Sequence, residues 1–408
     1  MPIIQSLLDL DQYKLTMGGF VRKRYPDVPV KYGFTNRTTS IFLSQHIDEG
    51  RLREEFDHAR TLSFMDDELD YVGNMTVNNK SMFSSAFIEF LRNYYLPEYD
   101  IEKVDDTYRI EFTGPWKETI YWETIALSII NELFGEAWIK DQGLSLDRVV
   151  GRGCRRLREK IAILKKYPGI KFIEFGTRRR FTGWWQGYVL RVLLEEIPNQ
   201  VLGTSNVLLA KKLGIPAMGT QAHELFMIMS GVMRGGDEKI RASQNRVLEE
   251  WWDEYGYDLS IALPDTFGSD FFLQTTPEQI AQEWKGFRQD SGDPKEFGEK
   301  AIKFYESYGV NPKTKLVVFS DGLDIYKIVE LYNHFQGRVI PSFGWGTNLT
   351  NDLGLPTLSL VVKAIGACGC GLVKLSDNLA KAIGKPEDIE LYKRIFGYTG
   401  TMYEKVSY

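Results

Sequence analysis

The sequence predicts an α/β architecture. From residue 170 it alternates short apolar runs with amphipathic stretches, and each run ends in a loop rich in Gly, Ser, Thr and Asp. Such runs read as parallel strands buried on both faces, so the choice lies between a β/α barrel and a doubly wound sheet. A chain of 408 residues, 43% hydrophobic and 26% charged, is long enough for one barrel with an appended domain.

The elements follow in order. Up to about Trp122, aromatic-rich helical patterns mix with short strands. Residues 108–115 (YRIEFTGP) alternate polar and apolar and stop at Gly-Pro, as a half-buried strand does. Residues 124–134 (TIALSIINELF) read as a buried helix. The strand runs then begin with IKFIEFGTRRR at 170, QVLGTSN at 200, IPAMGTQAHE at 215 and LSIALPDTF at 259. They continue with FRQDSGDP at 287, KLVVFSDGLD at 315 and VIPSFGWGTNLT at 339. Residues 301–308 and 325–335 supply helices between them. Residues 358–377 read as two strands joined by a Gly/Cys turn, and this tail is expected to leave the barrel and pair with the N-terminal part. The implied domains are 1–125 completed by 352–408, and a barrel over 126–351.

The charge balance of 50 basic and 55 acidic residues leaves −5, which argues against a nucleic-acid binder and means that an anionic ligand must be met by local positive charge. Three cysteines (Cys154, Cys368, Cys370) are too few for a disulfide framework. Asp9 and Asp11 interrupt any signal-like apolar core near the start, and the run 125–130 falls far short of the roughly 20 residues that cross a bilayer. A soluble, cytoplasmic protein with no membrane partner is expected.

The polar residues sit after the strands, where barrel loops build an active site. Arg178, Arg179 and Arg180 follow the first strand, and guanidinium groups bind phosphate or carboxylate through paired donors. His223, one of four histidines, falls in the first turn of a helix that Thr220 could cap, where unpaired N–H groups favour a phosphate on the ring. Arg288, Asp290 and Asp293 share one turn that could hold Mg²⁺ and sugar hydroxyls. Asp265 and Asp321 are further strand-end carboxylates, either of which could orient His223. Gly344, Gly346 and Thr347 lie in a late loop, the frequent phosphate site of barrels. Cys368-Gly369-Cys370 lacks zinc spacing, and no Gly-x-Ser-x-Gly elbow is present.

Taken in order, SLLDLDQYKLTM, TGPW, EFGTRRRF, LGTSN, MGTQAHE, RQDSGDP, FSDGLD, SFGWGTNLTND and KLSDN resemble the blocks of the nicotinate phosphoribosyltransferase family. The resemblance implies an irregular β/α barrel of the type II phosphoribosyltransferase kind, with a second α+β domain formed by both chain ends. It implies synthesis of nicotinate mononucleotide from nicotinate and 5-phosphoribosyl 1-pyrophosphate, driven by ATP through a phosphohistidine, with Mg²⁺, in a homodimer with shared sites. His223 would carry the phosphoryl group, and Asp265 would be its acidic partner. Phe175 would stack on the pyridine ring, with Tyr13 of a second subunit on the other face. Arg178 would bind the ring-bearing substrate and help place the pyrophosphate, and Arg288 would bridge towards the ring carboxylate. Asp290 and Asp293 would hold ribose hydroxyls or metal, and Gly344, Gly346 and Thr347 would cradle the 5′-phosphate. Ser205 stands where related nicotinamide enzymes carry an aspartate, which would favour the acid over the amide. Gly183-Trp184-Trp185 is bulkier than the resemblance leads one to expect.

Nicotinamide or quinolinate as substrate, a non-catalytic nucleotide-binding regulator and a barrel aldolase are the competing readings. The aldolase would need a Schiff-base lysine inside a strand, and the barrel runs offer none that convinces.

Overall fold

The computed structural model describes residues 1–404. The last four residues of the 352–408 segment lie outside them. In chain order the strands are β1 (Pro29–Asn36), β2 (Thr76–Val77), β3 (Lys80–Ser81), β4 (Tyr99–Val104), β5 (Thr107–Pro115), β6 (Phe172–Glu174) and β7 (Val201–Thr204). They continue as β8 (Ile261–Ala262), β9 (Gly286–Gln289), β10 (Leu316–Phe319), β11 (Ile340–Trp345), β12 (Leu360–Ala367) and β13 (Cys370–Gly371).

Two sheets carry the architecture. The parallel one runs β7-β6-β11-β10-β9-β8. The first strand of the series thus pairs with the last, which curls the sheet into a barrel. Ala217 adds a single parallel bridge to Thr204 at the β7 edge. The barrel stays open between that bridge and β8, where the Gln221 side chain donates to the Ile261 carbonyl across 3.2 Å. The expected strand at 215 is reduced to this bridge because Pro216 cannot donate to a ladder and Gly214 and Gly219 flank it. Gly203, at φ 154°, lets the segment come that close: a Cβ there would sit 2.3 Å from the Pro216 carbonyl oxygen.

The second sheet is antiparallel, in the order β13-β12-β1-β5-β4, and is built from both chain ends. The tail does return to the N-terminal part: β12 pairs with β1 from Val30↔Ala367 to Asn36↔Leu360, with one irregularity at Lys31/Tyr32. Cys368 and Gly369, at φ 51° and 74°, make the turn into β13. In β5 the expected alternation holds, with Tyr108, Ile110 and Phe112 buried. The buried helix is longer than its apolar run suggested, Trp122–Asp141, and it packs against β12.

The double tryptophan is accommodated because neighbouring positions of the helix Gly183–Glu196 point about 100° apart: Trp185 is buried while Trp184 is 51% exposed. Trp185 fits because Gly153 faces it, where a Cβ would stand 2.7 Å from its ring. None of the helices among the described residues is long and apolar enough to cross a membrane.

Candidate active site

A cavity of about 410 Å³ opens at the C-terminal ends of the barrel strands, walled on one side by the sheet of the chain ends. It gathers most of the residues singled out above: Tyr13, Phe175, Arg178, His223, Arg288, Asp290, Gly344, Gly346 and Thr347 all line it.

His223 is the first residue of the helix His223–Val232, but the residue before the first turn is Ala222 and no side chain caps it. Thr220 lies two residues too early to cap; its carbonyl instead accepts from Thr16 Oγ1 at 2.7 Å. Gly219 brings these segments together, since a Cβ there would stand 2.8 Å from the Tyr13 backbone nitrogen. The imidazole is buried between three partners. Nδ1 lies 3.0 Å from Thr266 Oγ1, Nε2 lies 2.9 Å from Asp290 Oδ2, and Asp265 Oδ1 stands 3.6 Å from Nε2. Burial pushes the ring down to about 4, against the pull of Asp265 and Asp290, so it is neutral near pH 7. The His223 hydrogen bond and Arg288 outweigh burial at Asp290 and hold its carboxyl well below the usual range. An ionised Asp290 assigns the ring proton to Nε2, and Nδ1 then accepts from the Thr266 hydroxyl. Asp265 is fixed from behind: its Oδ2 accepts from Ser291 Oγ at 2.6 Å and lies 3.6 Å from Lys374 Nζ.

Tyr13 and Phe175 of the same chain present parallel rings to the cavity, 4° apart in plane with centroids 6.3 Å apart. Within this chain the ring opposite Phe175 is supplied by the first helix, Gln12–Arg24. Arg178 lies over Tyr13, 5.6 Å from its centroid, and pairs with Asp11 and Glu123 at 3.2 Å each. Among the described residues, Arg288 Nε and Thr347 Oγ1 are buried without a hydrogen-bond partner.

Three expectations need correcting. Ser205 does not face the cavity; its hydroxyl is fully buried and donates to Asp11 Oδ1 at 2.6 Å, and Asp11 does not line the cavity either. Asp293 does not join Asp290; it caps the helix Pro294–Ser307 by accepting from Glu296 N at 2.8 Å, and it borders a separate cavity. The Asp-Pro pair was the helix-start signal that accounts for this. Arg180 turns away from the cavity into a buried cluster with Asp9 and Glu132, so the arginine triplet is not one cationic site.

The structure also adds groups that sequence reasoning missed. Lys363 from β12, with Lys374 and Lys381 from the tail, lines the cavity, and Lys381 pairs with Asp321. A charged residue inside LVVKAIGA was the available signal for Lys363, a strand lysine outside the barrel runs. Glu174 sits under the strand-end loop, pushed up to about 7 by burial, and accepts from Thr204, Gln186 and Gly176.

The family model for the nicotinate phosphoribosyltransferase (NAPRTase) family matches residues 170–399, and that for the NAPRTase N-terminal domain matches residues 8–131. The chain belongs to the nicotinate phosphoribosyltransferase family. It is an enzyme of that type. Among solved structures, the nicotinate phosphoribosyltransferase of Vibrio cholerae is 33% identical, with 98% of this chain and 94% of that one covered and a TM-score of 0.86. That of Porphyromonas gingivalis is 29% identical, covering 97% and 100%, also at 0.86. A putative family member from Saccharomyces cerevisiae is 30% identical, covering 98% and 99%, at 0.84. These likenesses span both sheets, so the barrel and the domain made from the chain ends are shared.

Proposed function

We propose that the protein makes nicotinate mononucleotide and pyrophosphate from nicotinate and 5-phosphoribosyl 1-pyrophosphate, coupled to ATP hydrolysis through phosphorylated His223. The observation that carries this reading is one cavity that holds both a parallel aromatic pair and a neutral histidine set between two carboxylates. A flat heteroaromatic ring stacks on such faces, and Arg178 and Lys363 beside them suit a ring carboxylate. The pyridine nitrogen needs no deprotonation, so the site's work is positioning the ring and neutralising the leaving pyrophosphate, for which Arg288 stands at the cavity wall. Thr347, with the backbone of Gly344 and Gly346, suits the 5′-phosphate.

The unprotonated nitrogen of His223, Nδ1, accepts the γ-phosphoryl group of ATP, with ADP leaving, once the Thr266 hydroxyl gives up its hydrogen bond to that nitrogen. Asp290 and Asp265 beside Nε2 then stabilise the charge that builds on the phosphorylated ring. The same carboxylates suit Mg²⁺: Asp265 Oδ1 is buried without a hydrogen-bond donor, and the ligand atoms of His223, Asp265 and Asp290 lie within 4.8 Å of one another. Hard oxygens of this kind, with phosphate oxygens from substrate, are what Mg²⁺ takes, and it would neutralise phosphate charge there. A homodimer with shared sites, as the resemblance implies, is part of this reading. A protein of this design works in NAD biosynthesis.

The test is ATP hydrolysis that depends on nicotinate and 5-phosphoribosyl 1-pyrophosphate, with acid-labile label on the protein that disappears in His223→Ala. Label surviving in that variant would remove His223 from the reading. Faster turnover of nicotinamide or quinolinate would overturn the substrate, and ATP binding without hydrolysis would favour a regulator.

A further inference from the structure

Glu123, the second residue of the helix Trp122–Asp141, has no solvent exposure and is met by donors from three other parts of the chain. On one oxygen, Tyr13 donates its hydroxyl at 3.2 Å and Lys14 Nζ stands at 2.7 Å. On the other, Lys363 Nζ stands at 2.6 Å and Arg178 Nη1 at 3.2 Å. Two donors per oxygen fill the carboxylate's capacity. Tyr13, Arg178 and Lys363 all line the catalytic cavity, whereas Glu123 does not. They arrive from the first helix, the loop after β6 and β12, so one buried carboxylate ties the barrel to both chain ends. Lys14 extends the chain of contacts to Glu224 at 2.6 Å, the residue next to His223.

We propose that Glu123 is a positioning residue for the ring-bearing substrate, fixing the aromatic face of Tyr13 and the cations of Arg178 and Lys363 where they meet a ring carboxylate; this rests on the nicotinate reading above. Arg178 donates one N–H to Glu123 and stands 3.2 Å from Asp11 as an ion pair, and Lys363 spends one of three donors, so both keep N–H groups for substrate. In the reading above, the late loop and the histidine cluster take the phosphoribosyl groups, while Tyr13, Arg178 and Lys363 take the ring. Glu123 therefore governs one substrate and not the other. Lys363 supplies a second signature. Burial pushes it down to about 8, while Glu123 holds it up; Arg178 and Lys14 repel its charge, and Glu224 is the other carboxylate of the network.

The experiment is steady-state kinetics of Glu123→Gln in the full chain, with each substrate varied in turn and pH scanned. The KM for nicotinate is expected to rise about tenfold or more, the KM for 5-phosphoribosyl 1-pyrophosphate to stay within about twofold, and kcat to fall less than the nicotinate KM rises. The nicotinate KM of the unaltered protein should climb as pH passes about 8, and in Glu123→Gln that climb should begin at lower pH. Equal movement of both KM values, or neither moving, overturns the proposal, because a merely structural carboxylate would not separate the substrates. If Glu123→Gln fails to fold, Tyr13→Phe and Lys363→Met carry the test, and no change in the nicotinate KM in either overturns it. If the protein prefers another ring, the same split is read with that ring, so failure of the substrate assignment and failure of the Glu123 role stay separate.

Discussion

Replacing Arg180 with methionine should unfold the protein far more readily without touching the chemistry of the cavity. The guanidinium is 1% exposed. It grips Asp9 through two bonds of 2.7 and 2.8 Å and Glu132 through one of 2.7 Å, and Asn206 adds a donor to Asp9. Removing the cation leaves two buried carboxylates uncompensated, which costs about 3–5 kcal/mol. The two do not titrate alike. At Asp9, Arg180 outweighs burial and holds the carboxyl below its ordinary value. At Glu132 burial wins and lifts the carboxyl to about 7. For Glu132 the folded value thus exceeds the unfolded one of 4.5. Its contribution to stability is complete below 4.5 and is lost as pH rises through 7, on the order of 3 kcal/mol in all. Glu132→Gln, which keeps an acceptor for Arg180 and Gly183, should therefore flatten this fall and exceed the parent's stability above pH 7. Urea unfolding followed by tryptophan fluorescence, compared at equal m-values from pH 5 to 8, measures both variants. An Arg180→Met loss under about 1 kcal/mol, or a Glu132→Gln loss that grows with pH, would refute the reasoning.

Phe175→Leu keeps the apolar contact but removes one stacking face, worth about 0.5–1.5 kcal/mol, so the nicotinate KM should rise about 2- to 13-fold; an unchanged KM would show that the ring binds elsewhere. Ser205→Ala removes the donor to the buried Asp11 and should cost about 1–3 kcal/mol in urea unfolding while leaving the nicotinate-to-nicotinamide preference within about threefold. A larger change in preference would put Ser205 back against the ring. Asp293→Ala loses a helix cap, about 0.5–2 kcal/mol, and should leave the Mg²⁺ dependence of turnover unaltered; a raised Mg²⁺ requirement would make Asp293 a ligand after all.

Much of the fold was legible. Seven apolar runs with polar loops behind them are a local pattern, and burial on both faces of a parallel strand leaves that pattern little freedom. The positions after the strands were legible for the same reason, which is why His223, Asp290, Arg288 and Thr347 reach one cavity. The failures share a physical cause. Arg178, Arg179 and Arg180 are identical in type and adjacent in sequence. The short 3₁₀ turn Thr177–Arg179 sends the first two to the cavity and leaves Arg180 to point into the core. Asp290 and Asp293 are three residues apart, and a helix start separates them, since a cap must aim its oxygen at its own backbone.

Periodicity and chemistry within a few residues were enough for the strand series and for the histidine at a helix start, whereas the return of the tail joins Val30 to Ala367 across nearly the whole chain. Only the tertiary structure decided that the barrel stays open beside Ala217, that Tyr13 faces Phe175 within one chain, and that Glu123 gathers Tyr13, Lys14, Arg178 and Lys363. Those contacts join residues as far apart as 240 positions, and burial made them possible: away from water, a carboxylate must find its donors wherever the fold brings them.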